Sequence, residues 1–168
     1  AYLDPNDRTD VDSFLARRAR MGLEATLFEF YEFRFLTDFG QSQTRLQDAF
    51  MNVHYWNEFQ FTAGKFKQPL SYEQLIQDRF VPLMERSLID QLVPARDVGV
   101  MLHGQGLFGN RLDYAAAVSN GVQNGDSDTN DAKDVTARIA VRPFAGFEER
   151  VLKQFQFGIS GWAGVECQ

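Results

Sequence analysis

From Leu15 the chain alternates with a period of two: Leu15, Arg17, Ala19, Met21, Leu23, Ala25 and Leu27 share one set of positions, and Ala16, Arg18, Arg20, Gly22, Glu24 and Thr26 the other. A helix would gather its apolar residues at three- and four-residue spacing, so this run predicts a strand with one greasy and one polar face. The pattern recurs. Tyr31, Phe33, Phe35 and Phe39 oppose Glu32, Arg34 and Asp38; Ala49, Met51, Val53 and Tyr55 oppose Asp48, Phe50, Asn52 and His54; Phe59, Phe61 and Ala63 oppose Gln60, Thr62 and Gly64. Val98, Val100 and Leu102 then oppose Gly99, Met101 and His103, while Leu112, Tyr114, Ala116 and Val118 oppose Arg111, Asp113, Ala115 and Ala117. Val135, Ala137, Ile139 and Val141 oppose Thr136, Arg138 and Arg142, and Phe155, Phe157 and Ile159 oppose Gln154, Gln156 and Ser160. The expectation is all-β, with about eight antiparallel strands near the ~10-residue length that crosses a tilted bilayer.

The connections alternate between short and long. Short ones lie around Phe28 to Tyr31, Trp56-Asn57, Phe108 to Asn110 and Phe144 to Glu149; longer ones are Gly40 to Thr44, Lys67 to Arg96 and Asn120 to Asp134. Membrane barrels have this asymmetry, with tight turns at one end and larger loops at the other. Phe28, Phe30, Tyr31, Tyr55, Trp56, Phe108 and Phe144 gather at the short-turn end, as an interfacial aromatic girdle would. A soluble meander with these aromatics in its core is the competing architecture.

Residues Lys67 to Arg96 carry too many apolar side chains, Leu70, Leu75, Phe80, Leu83 and Leu88 among them, to float in water. Helical turns around Tyr72 to Gln77 and Met84 to Gln91, folded into the mouth of a barrel, would bury them. The stretch Gln123 to Asp134 is polar and without periodicity, the mark of a solvated loop. Asp126, Asp128 and Asn130 have the spacing of a calcium loop, but its glycine and distal glutamate are missing, so no metal site is expected.

Composition narrows the function. A net charge of −6 argues against nucleic acid as a partner, since phosphate-backbone binding needs a basic face. The single Cys167 permits no internal disulfide, and His54 and His103 give zinc little to bind. Neither a nucleophile elbow nor a phosphate-cradling glycine loop is present, so no enzyme and no cofactor are expected. The longest nearly uncharged stretch, Leu112 to Asn124, is broken by Asp113, Ser119, Asn120 and Gly121, which rules out a membrane-spanning helix there.

Several segments together resemble the phosphate-selective porin O and P family: Phe14-Leu-Ala-Arg-Arg-Ala-Arg-Met-Gly-Leu-Glu24, Leu46-Gln-Asp-Ala-Phe50, Gly64-Lys-Phe-Lys-Gln-Pro69, Met84-Glu-Arg-Ser-Leu88 and Arg96-Asp-Val-Gly-Val-Met-Leu-His-Gly104. The resemblance implies a trimeric outer-membrane channel of about sixteen strands whose third external loop folds inward. Residues 1–168 would then form part of one barrel domain, with 67–96 as its constriction loop. The first strand visible here becomes the barrel's second, so the piece is expected to leave two unpaired strand edges. Passive transport of small anions, phosphate or polyphosphate, in contact with outer-membrane lipid is the function that follows. A soluble or small closed barrel binding a small ligand is the alternative, and it would need apolar inward residues.

With the greasy face on lipid, the polar face places Arg18, Arg20, Arg34, Arg111, Arg138 and Arg142 along the pore as an anion pathway. Guanidinium groups stay charged and hold oxyanions through a fork of donors, and arginine-rich linings are one way that pores favour anions. The same arginines could instead pair with Glu24, Glu32, Asp38, Asp48 and Asp113 on neighbouring strands, and both roles are compatible. Within the loop, Lys67, Arg79, Glu85, Arg86 and Ser87 are the candidate constriction residues, although Glu85 and Arg86 could equally pin the loop to the wall.

Overall fold

In the computed structural model the described residues are 18–40, 44–71, 75, 95–121, 132–147 and 155–164. Eight strands form one antiparallel sheet in chain order: β1 (Arg20–Leu27), β2 (Tyr31–Asp38), β3 (Arg45–Trp56), β4 (Phe59–Lys67), β5 (Arg96–Gly106), β6 (Leu112–Ser119), β7 (Asp134–Val141) and β8 (Phe157–Ala163). Each strand pairs with the next, and among the described residues β1 and β8 do not pair with each other, so the sheet is open.

The register sorts the faces. Leu23 opposes Phe35 and Ala25 opposes Phe33 on one side, while Arg20 opposes Asp38 and Glu24 opposes Arg34 on the other. Further along, Ile139 opposes Ile159, and Arg138 opposes Ser160. Burial is inverted relative to a water-soluble protein. Phe35 (52% exposed), Phe61, Val100, Ile139 and Ile159 (75%) face outward, whereas Asp48, Asn52, Thr62, Asp97, Ser119 and Thr136 are buried. Apolar side chains left in water forgo about 1.5–3 kcal/mol each. A dozen of them would forgo roughly 20–30 kcal/mol, more than a small domain's whole stability; a hydrocarbon environment on that face removes the conflict.

At one end the connections are tight. The turn between β1 and β2 places Phe28 (φ 50) and Glu29 (φ 64) in the left-handed region, the geometry of a type I′ hairpin, without the Asn-Gly that usually supplies it. Phe108 (φ 52), 79% exposed, occupies a similar position between β5 and β6. Phe30 packs on Tyr55 at 4.7 Å, and Tyr55 meets Trp56 edge-on at 4.8 Å, so part of the aromatic girdle is in contact. The connection from β7 to β8 is longer than Phe144 to Glu149: β7 ends at Val141 and β8 begins only at Phe157. Phe155 accordingly precedes its strand rather than lying within it.

Beyond Gly64 the alternation lapses. Gly64 has φ 124, and a Cβ there would collide with the Ala49 carbonyl, so glycine lets β3 and β4 close up at the point where β4 leaves the regular pleat. Lys65 and Phe66 are consecutive and both buried, and Gln68 and Leu70 are buried after them. This is where the chain turns across the polar face of the sheet. The expected strand residues Leu15 to Arg17, the helical turns around Tyr72 to Gln77 and Met84 to Gln91 apart from Leu75, and most of the polar loop from Gln123 lie outside the described residues.

Candidate functional site

The polar face carries charges in cross-strand pairs. Arg20 Nε donates to Asp38 Oδ2 at 3.0 Å, one strand across. Arg34 Nε lies 3.2 Å from Glu24 Oε1 and 3.8 Å from Asp48 Oδ2. Asp48 also accepts from Arg96 Nε at 2.7 Å, so one buried carboxylate on β3 holds arginines from β2 and β5. Arg142 donates to Asp113, whose other oxygen accepts from the Gly106 N–H at 2.9 Å. Such pairs fix where the guanidinium groups stand while leaving them charged.

A lane of mostly uncharged groups, starting at the Glu32 carboxylate, runs between these pairs. Asn52 Nδ2 donates to Gln60 Oε1 at 3.1 Å and approaches Glu32 Oε2 at 3.4 Å. Its Oδ1 accepts from Thr62 Oγ1 at 3.0 Å, and Thr62 Oγ1 lies 3.0 Å from His103 Nε2. A hydroxyl has one proton; since Thr62 gives it to Asn52, His103 Nε2 must carry the hydrogen between that pair. The lane crosses β2, β3, β4 and β5.

The chain leaving β4 crosses the same face. Gln68 N–H continues the ladder to the Ala95 carbonyl at 3.0 Å, but its side chain reaches away to β7, where Gln68 Oε1 accepts from Thr136 Oγ1 at 3.0 Å. Two residues on, the Leu70 carbonyl accepts from Ser160 Oγ on β8 at 2.8 Å. Along the sheet β4 and β7 are three strand spacings apart, roughly 14 Å at ~4.8 Å each. A single glutamine spans them only if the polar face is concave and the segment cuts across it. A cavity of about 250 Å³ lies beside this crossing, lined by Lys67, His103, Gln105, Asp113, Arg138 and Gln156, with Leu75 and Met101 among its apolar walls. At ~30 Å³ per water it holds an oxyanion and part of its hydration shell.

The expected pathway residues therefore separate. Arg20, Arg34, Arg138 and Arg142 belong to strands or strand ends on the polar face. Arg138 has uncharged cross-strand neighbours, Ala115 and Ser160, and lines the cavity with Lys67; both also interact with other groups of the chain. Arg18 precedes β1 and is exposed, and Arg111 sits in the turn before β6, its carbonyl accepting from the Arg142 N–H at 2.7 Å. Both stand at the margins of the wall rather than within it. Arg79, Glu85, Arg86 and Ser87 lie outside the described residues. Residue spacing alone had not pointed to Gln68, Thr136 and Ser160, nor to the Asp48–Arg96 pair, because each link joins strands that are not neighbours in the sheet.

A meandering antiparallel sheet with an apolar outer face, a charged concave inner face and a chain segment laid across that inner face is the wall of a membrane β-barrel pore. The chain belongs to the family described as phosphate-selective porin O and P, whose family model matches residues 2–160. This is a family of outer-membrane channels rather than enzymes. No curated protein and no solved structure gives a match. No helix among the described residues is long and apolar enough to cross a membrane.

Proposed function

We propose that the protein passes small inorganic anions, phosphate or polyphosphate in particular, through an outer-membrane barrel of about sixteen strands assembled as a homotrimer. The observation that supports this is the cavity on the concave face beside the crossing segment, which Lys67 from β4 and Arg138 from β7 both line, with Asp113 as its one carboxylate. Arg20, Arg34 and Arg142, held by their carboxylate partners, form the approach to it, with Arg18 and Arg111 at its ends. Guanidinium and ammonium donors replace part of the water shell that an oxyanion gives up on entering a narrow pore. Residues 67–96 form the constriction, with Arg79, Glu85, Arg86 and Ser87 adding donors and charge to it. The alternative of a soluble or small closed barrel binding a small ligand is disfavoured by the apolar exterior and by the sheet left open among the described residues.

In planar-bilayer recordings of the full-length protein in chloride, millimolar inorganic phosphate should reduce the current as it occupies the site. Arg138→Gln should weaken that block about tenfold, the loss of one charge-assisted hydrogen bond. Chloride current indifferent to phosphate in the unaltered protein would refute the assignment.

A further inference from the structure

The crossing segment is fastened to the far wall by uncharged groups. Gln68 is completely buried, and its Oε1 takes the hydroxyl proton of the equally buried Thr136; the Leu70 carbonyl takes that of Ser160. These contacts fall on the residues next to the cavity's basic pair. Lys67 precedes Gln68, and Arg138 shares the inner face of β7 with Thr136 two positions away. We propose that Gln68, Thr136 and Ser160 are positioning residues that set the distance between Lys67 and Arg138, and with it the width and anion affinity of the constriction. The proposal deepens the anion-channel assignment above and rests on it.

The chemistry of the fastening has a consequence. Exposed ion pairs weaken as salt shortens the Debye length to about 10 Å at 0.1 M and about 3 Å at 1 M. Neutral hydrogen bonds are not screened in this way, and the Gln68–Thr136 contact is buried as well, whereas Ser160 is exposed. A pore whose task is to admit ions thus has its narrowest part held by contacts that the passing ions do not loosen. The charged pairs on the same face, Arg34 with Glu24 for example, lie where ions can reach them.

Full-length protein bearing Thr136→Val, Ser160→Ala, or both, is compared in bilayers with Thr136→Ser, which retains the hydroxyl. Valine keeps the shape and strand preference of threonine, so the barrel folds, as the gel mobility of the folded form checks. The double variant should show larger single-channel conductance, more open-channel noise and a several-fold weaker phosphate block, and Thr136→Ser should match the parent. Each single variant should move the same way by less, and the singles decide the matter should the double fail to insert. Conductance, noise and block all unchanged in Thr136→Val and Ser160→Ala would overturn the fastening. A parent channel that ignores phosphate would instead overturn the anion site, while conductance and noise would still test the fastening.

Discussion

Asp48 is the carboxylate that two arginines of the polar face share. Nearly inaccessible at 3% exposure, it neutralises Arg96 directly and Arg34 at longer range. Replacing it with Asn keeps the volume but removes the charge that both guanidinium groups face. Losing a hydrogen bond to a charged group costs about 1.5–3 kcal/mol, and urea titration of the folded barrel should show Asp48→Asn less stable by that order. With one negative charge gone from the pore face, its zero-current potential should move toward stronger anion preference. Unchanged stability would mean that water replaces the carboxylate without cost. The Arg20–Asp38 and Glu24–Arg34 pairs were legible in the sequence because alternation put their members on one face of adjacent strands. The Asp48–Arg96 contact was not, because it bridges β4, and no spacing along the chain encodes a partner two strands away.

At the scale of elements, the strands were legible because a half-buried sheet imposes a period of two, and all eight appear with their faces as the alternation assigns them. The departures occur where backbone geometry overrides side-chain pattern. The short connection expected around Phe28 to Tyr31 is present, but Phe28 and Glu29 form it in a left-handed conformation that their residue types disfavour by about 1–3 kcal/mol, so its geometry was not legible. Gly64 ends the regular alternation of β4. Gln68 lay within a recognisable run, Gly64 to Pro69, but its contact depends on where the chain goes after leaving the strand. The faces themselves can be tested. Phe33→Arg places a charge on the outer face of β2 and should cost about 2–4 kcal/mol near the bilayer midplane, read as a lower urea midpoint in lipid vesicles. Thr26→Arg, on the inner face of β1, should leave the midpoint nearly unchanged. Equal effects at both positions would contradict the assignment of faces.

The whole molecule is a segment of curved wall: apolar outside, paired charges inside, with its β4–β5 connection starting across the concavity. Among the described residues β1 and β8 each have a sheet neighbour on one side only, and a bilayer does not tolerate an unpaired backbone edge. Selectivity is a property of the complete pore, because acidic and basic side chains are nearly matched along the wall and only their arrangement at the narrowest point can favour one sign. The zero-current potential of the full-length protein across a potassium chloride gradient reads this directly. With Lys67 and Arg138 lining the cavity, and Asp38, Asp48 and Asp113 each paired with arginine, the proposed anion pathway predicts a potential on the chloride side of zero. A potential near zero, or on the potassium side, would contradict an anion pathway on this face.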